Sequence, residues 1–222
     1  MFALSLALGA RAAYGDCDRG CTTLSADYGL VVLHDVEPGP TPPAFGDLAV
    51  FAISVHGLLQ VHRALYADIA WDVQLGSTLG RGSFAYDVSA LPIGVGVRLA
   101  EDSAIGIAAG LGANGAVGTL DDAVTLPIEL YADLAVHRRL RILARLRTSF
   151  VAAAPGRDLG APSLPSSRLG DELDAMLAVR IRHRLTKSVE RADAGPIVGV
   201  AYREWLGARF CGVVLGIGLT TE

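Results

Sequence analysis

No stretch of the 222 residues stays apolar for the roughly 20 positions that a membrane-spanning helix needs, although 51% of the residues are hydrophobic and the mean hydropathy is +0.41. The apolar residues are therefore spread over many short segments. Aromatic residues are scarce as well, at 6%, which argues against broad belts of Trp and Tyr. A basic surplus is missing: the formal charge is -4 and the isoelectric point about 5.7, so nothing favours the phosphates of a nucleic acid. Cysteine is rare. Cys17 and Cys21 form a C-x-x-x-C pair with no further Cys or His nearby, too few ligands for zinc. The pair reads as a candidate local disulfide of an oxidising compartment, in preference to two free thiols. Cys211 falls in a late apolar run and reads as a small strand residue. His34 and His183 stand without a cluster of ligands, and no metal or cofactor is expected.

What the chain does contain is alternation. Side chains of a strand point to opposite faces in turn, whereas a helix repeats every 3.6 residues. From Leu65 to Leu75 the positions Leu65, Ala67, Ile69, Trp71, Val73 and Leu75 are apolar, opposed by Tyr66, Asp68, Asp72 and Gln74. From Val124 to Val136 the even positions are apolar, against Thr125, Glu129, Tyr131 and Asp133. Leu140, Ile142, Ala144, Leu146 and Phe150 oppose Arg139, Arg141, Arg145, Arg147 and Ser149. Leu173, Leu177, Val179 and Ile181 oppose Asp174, Arg180, Arg182 and Arg184. Two segments carry small residues on the second face. Leu91, Ile93, Val95, Val97 and Leu99 alternate with Pro92, Gly94, Gly96 and Arg98, and Ile105, Ile107, Ala109 and Leu111 alternate with Gly106, Ala108, Gly110 and Gly112. Glycines along one face imply a crowded interior or a close backbone approach. Weaker candidates are Thr22 to Leu33, Leu48 to Gln60, Pro196 to Glu204 and Ala208 to Leu219. The total is about eight to ten strands, each near the 9 to 11 residues of a tilted membrane strand.

Connections alternate too. Val61-His62-Arg63-Ala64, Glu101-Asp102-Ser103 and Val136-His137-Arg138-Arg139 are tight, while 76–83, 115–123 and 152–170 are long and rich in Gly, Pro, Ser or Asp. Late in the chain the order breaks, with a long connection at 185–195 and a short one at Leu206-Gly207. The units Val61-His62-Arg63-Ala64-Leu65-Tyr66-Ala67-Asp68 and Asp102-Ser103-Ala104-Ile105-Gly106-Ile107 resemble the turn-plus-strand units of small outer-membrane β-barrel proteins. The resemblance covers most of residues 22–219. It implies an all-β fold, a closed antiparallel up-and-down transmembrane barrel, with outer-membrane lipid as its partner. The last strand departs from the family, ending Leu219-Thr220-Thr221-Glu222 where a terminal aromatic is usual. Residues 1–12, apolar and closing on Ala10-Arg11-Ala12, read as a signal segment lacking a basic flank, which leaves a strand or helix of the mature protein as the alternative. Residues 13–21 form an N-terminal segment and 22–219 the barrel domain.

With the apolar faces toward lipid, the lumen receives Asp68, Asp72, Arg98, Glu129, Asp133, Arg139, Arg141, Arg145, Arg147, Arg180, Arg182 and Arg184. In a narrow barrel such charges pair and fill the interior. Their basic excess also suits a narrow anion-leaning pore. A soluble lipocalin-like barrel, apolar inside and charged outside, is the alternative that alternation alone leaves open, together with a lipid-modifying barrel enzyme. For the latter, Ser54 and His56 share one strand face, but a lone S-x-H pair is common by chance; no catalytic residue is assigned. His62 and His137 fall in turns. Trp71, Tyr66, Tyr131, Tyr202, Trp205 and Phe210 are candidates for interfacial belts. The segment Glu37-Pro38-Gly39-Pro40-Thr41-Pro42-Pro43 reads as an extended outer loop.

Overall fold

A computed structural model of the chain describes residues 22–37, 46–62, 65–79, 83–100, 103–116, 122–154, 171–184, 192–205 and 208–221. The signal segment, Cys17 and Cys21, and nearly all of the Pro-rich segment lie outside them. The strands are β1 (Thr22–Glu37), β2 (Leu48–His62), β3 (Leu65–Thr78), β4 (Phe84–Ala100), β5 (Ser103–Ala116), β6 (Ala123–His137), β7 (Leu140–Ala153), β8 (Glu172–Ile181), β9 (His183–Arg184), β10 (Ala192–Trp205) and β11 (Ala208–Thr221). Each pairs antiparallel with its neighbours, and β11 pairs with β1 from Leu24↔Thr221 to Glu37↔Arg209, which closes the sheet into a barrel.

The wall has ten strands, because β8 and β9 are one strand facing β10 in one register, from Glu204↔Leu173 to Asp193↔Arg184. The ladder breaks where Pro196, which has no N–H to donate, faces the junction of the two pieces. Arg182 turns its N–H to the Arg139 carbonyl on the other side, at 2.8 Å. Most strands run 14 to 17 residues, longer than the sequence suggests. At about 3.3 Å per residue and a tilt near 40°, a strand of that length rises roughly 35 Å, so it overreaches an apolar band of roughly 25 Å at both ends.

The orientation that alternation left open is decided by burial. Ile93, Ile217 and Val200 are 76%, 61% and 58% exposed on the outer surface, with Trp71, Leu75, Leu130 and Leu215 among many others, while Asp68, Asp72, Glu129 and Arg180 face inward at 1% exposure or less. A lipocalin-like barrel has the reverse arrangement, so that alternative does not describe this chain.

One apolar face is corrected. Leu91 does not share the outer face of Ile93 to Leu99; it is fully buried inside. Ala70 pairs with Leu91 but Ala67 with Val95, so β4 carries one extra residue, a bulge around Pro92. A one-residue slip turns every later side chain to the other face. Gly110 lies opposite this bulge, where a Cβ would come within 1.9 Å of the Ala90 carbonyl oxygen. Strand β4 also begins at Phe84, seven residues before the alternating segment that starts at Leu91.

Candidate functional site

The chemistry of the chain is concentrated on the inner wall. Period-two strands deliver it there, and the antiparallel register stacks it in layers. At the end of the short connections, Arg141 of β7 donates to Asp133 of β6, and Arg180 of β8 lies 3.5 Å from the second Asp133 oxygen. Arg180 also donates to Asp27 of β1 at 3.3 Å and to the Thr220 hydroxyl at 2.6 Å. Arg182 donates to Asp193 at 2.8 Å. Arg98 stacks over the Tyr66 ring, 5.6 Å from its centroid.

The middle layer is built around Arg145, whose guanidinium crosses the lumen. It donates to Asp72 of β3 at 2.9 Å and to the Ser54 hydroxyl of β2, with Glu129 of β6 3.6 Å away. His56 lies 3.3 Å from Glu129 and 4.0 Å from Asp68, and its ring tilts against Tyr131 with centroids 4.8 Å apart. Tyr131 in turn rests on Gly106, where a Cβ would meet the ring at 2.4 Å. A glycine in a strand is thereby filled by a neighbour's aromatic ring.

Above it, Arg147 donates to Asp87, to Ser89 at 3.2 Å and to Asp174 at 3.4 Å. Arg203 of β10 shares the same Asp87 oxygen, and Gln74 donates to Asp174 at 3.2 Å. Asn114 donates to Glu172. At the end of the long connections the charges give way to Leu33, Leu48, Val50, Trp205, Ala208 and Phe210, buried in one apolar cluster.

The inner wall thus brings together Asp68, Asp72, Glu129, Asp133, Arg141, Arg145, Arg147, Arg180 and Arg182, with Arg98 at one end. Arg139 is a correction: it occupies the β6–β7 turn and is exposed, because the strand phase ends at His137. For Arg184 only the backbone is described. Asp174 lies on the charged face that the alternation of 173–184 marks, and it too faces inward; sequence reasoning missed Asp27, Asp87, Glu172, Asp193 and Arg203. Their signal was present in part: Ala85, Asp87 and Ser89 alternate with Phe84, Tyr86, Val88 and Ala90, but the segment was not read as strand. Of the aromatic residues assigned to interfacial belts, Tyr66, Tyr131, Trp205 and Phe210 are instead buried on the inner face, leaving Trp71 and Tyr202 outside.

Among the cavities lined by the described residues, two in the interior measure about 60 Å³ each, room for a few water molecules. The Ser54 hydroxyl faces the Arg145 cation, not a base that could activate it, so the Ser54–His56 pair lacks the arrangement of a nucleophile and its base. Outside the barrel, His34 and Asp47 pair at 2.6 Å by the β1–β2 connection. The Asp35 backbone N–H, followed by the His34 ring, holds the Asp47 carboxyl below its ordinary value.

No protein-family model and no curated protein matches the chain. Three solved structures with which it aligns are an outer membrane channel from Pseudomonas putida F1, a bacterial polysaccharide outer membrane secretin and a Pseudomonas aeruginosa FadL homologue. Each is 10% identical, with TM-scores of 0.39, 0.30 and 0.25. The alignments cover 93%, 90% and 91% of this chain and 98%, 97% and 88% of the others.

Proposed function

We propose that the chain is an integral protein of the bacterial outer membrane with a structural or surface-exposed role, its wall braced from inside by ion pairs that keep the lumen shut. The observation that carries this reading is the division of side chains between faces. Large apolar residues stand exposed all round the outside, and the buried guanidiniums of the lumen meet carboxylates of distant strands. Water would not tolerate the first, since apolar patches of such extent drive association. Lipid accommodates it and requires the backbone groups to be paired in a closed sheet, which the β1–β11 pairing provides.

A narrow anion-leaning pore draws less support. Asp27, Asp87, Glu172, Asp174 and Asp193 join the interior carboxylates and offset the basic excess on which that reading rested.

Fractionation of cells expressing the full chain tests the proposal. The protein is expected in the outer membrane, resistant to carbonate extraction and shifted on gels by heating. Recovery as a soluble periplasmic protein would overturn it.

A further inference from the structure

The interior is filled unevenly along the axis. One cavity lies toward the short connections, with Ser25, Tyr66, Arg98, Asp133 and Thr220 in its wall. The other lies toward the long connections, with Val31, Ser54, Gln74, Asp174 and Val214. Both are bordered by Asp27, Arg145 and Met176. The partition between them is therefore one layer thick, and the Arg145 guanidinium is the part that reaches across it, from β7 to Ser54 and Asp72. Beyond the second cavity Leu33, Leu48, Trp205 and Phe210 are at most 2% exposed and form a lid.

We propose that the barrel carries a path for small hydrated cations, interrupted in series by the Arg145 crosspiece and by the apolar lid. This inference rests on the reading of the chain as a membrane-spanning barrel. The sign of the selectivity follows from the partners. When Arg145 is withdrawn, Asp72 loses its 2.9 Å partner and keeps Arg147 at 3.9 Å, while Glu129 keeps His56 at 3.3 Å, so the layer is left richer in carboxylate than in cation. Of the other guanidiniums near that level, Arg141 pairs with Asp133, Arg180 with Asp27 and Asp133, and Arg147 is shared among Asp72, Asp87 and Asp174, so none is a surplus cation. Carboxylate-lined pores pass cations, and apolar constrictions gate by dewetting.

The test is conductance across planar bilayers in a KCl gradient. Four proteins are compared: the wild-type chain, Arg145→Ala, Trp205→Ala/Phe210→Ala, and the combination of all three substitutions. Heat-modifiability of each on gels establishes that the barrel has closed. The first three are expected to be silent. The combination is expected to conduct, with a reversal potential displaced toward that of K⁺. Adding Asp72→Asn to the combination removes a carboxylate that has lost its nearer guanidinium and keeps only Arg147 at 3.9 Å, so it favours folding and should reduce the displacement. A closed, inserted combination that stays silent would overturn the inference, as would one that prefers Cl⁻. Steady conduction by the lid variant alone would remove Arg145 as a constriction and overturn the series arrangement. Failure of the wild-type chain to enter bilayers at all would instead sink the membrane reading on which the inference stands.

Discussion

Two arcs of the inner wall are built on different principles. From β3 to β8 the inward positions carry Asp68, Asp72, Asp87, Glu129, Asp133, Arg141, Arg145, Arg147, Asp174 and Arg180, and the wall is held by charges reaching over the lumen. From β10 through β11 to β1 most of the inward positions are small or apolar: Gly195, Ile197, Gly199, Ala201, Gly212, Val214, Gly216, Gly29 and Val31. There the wall is held by closeness. At Gly216 a Cβ would stand 2.2 Å from the Tyr28 carbonyl oxygen, and at Gly199 it would stand 2.4 Å from the Ala178 methyl group. The large charged side chains of one arc fill the volume that the small residues of the other leave free.

The comparison can be broken most sharply at Arg147. Replacing it by Ala leaves Asp87 and Asp174 short of a buried cation, and a loss of about 3–5 kcal/mol is expected. Urea unfolding in detergent or lipid, followed by heat-modifiability, reads it; a midpoint unchanged from wild type would mean that the ion pairs do not brace the wall. Next comes the outside of the smooth arc. Leu215 is exposed at the middle of β11, and Leu215→Arg should cost about 2–4 kcal/mol in lipid, seen as a lower yield of folded barrel in vesicles. An equal yield would place that strand away from the hydrocarbon. Gly216→Ala tests closeness itself: added bulk against Tyr28 should destabilise by about 1–3 kcal/mol, by the same unfolding assay. The smallest effect belongs to Asp47, outside both arcs. Its carboxyl is held down by the Asp35 N–H and the His34 ring, so its contribution is present above the unfolded-state value and fades as pH falls through the folded one. An NMR titration of that carboxyl should show a midpoint below that of an unfolded chain, and Asp47→Asn should leave the unfolding midpoint in place.

The same contrast explains what could be read from the chain. The charged arc is legible because a charge between two apolar residues marks its own face; 65–75, 124–136 and 139–150 declare the strands and their two faces, while which face turns inward is set only by the closed wall. In the smooth arc Ala, Gly and Val occupy both faces, so strands near Pro196 and Ala208 could be placed but their inner side could not. Two physical events defeat alternation even where it is clear. The bulge at Pro92 changes phase within β4, which one-dimensional periodicity cannot register. Arg139 belongs to the arginine series by parity, yet the strand stops short of it and the turn carries it outside. The pairing of the lumen charges was not legible at all, because Arg145 and Asp72 are 73 residues apart and meet only through the curvature of the closed wall.

The contact between Arg180 and Asp27 joins residues 153 positions apart in the chain. Asp27 is on the first strand and Arg180 on β8, with β10 and the last strand lying between them along the wall. Neither local hairpins nor any run of consecutive strands can bring the two together; only the zipping of the first strand to the last does so. Loop-closure entropy makes such distant pairing slow. The bond is thus a late reward, available to a chain that has completed its cylinder and withheld from one stalled as an open, edge-bearing sheet.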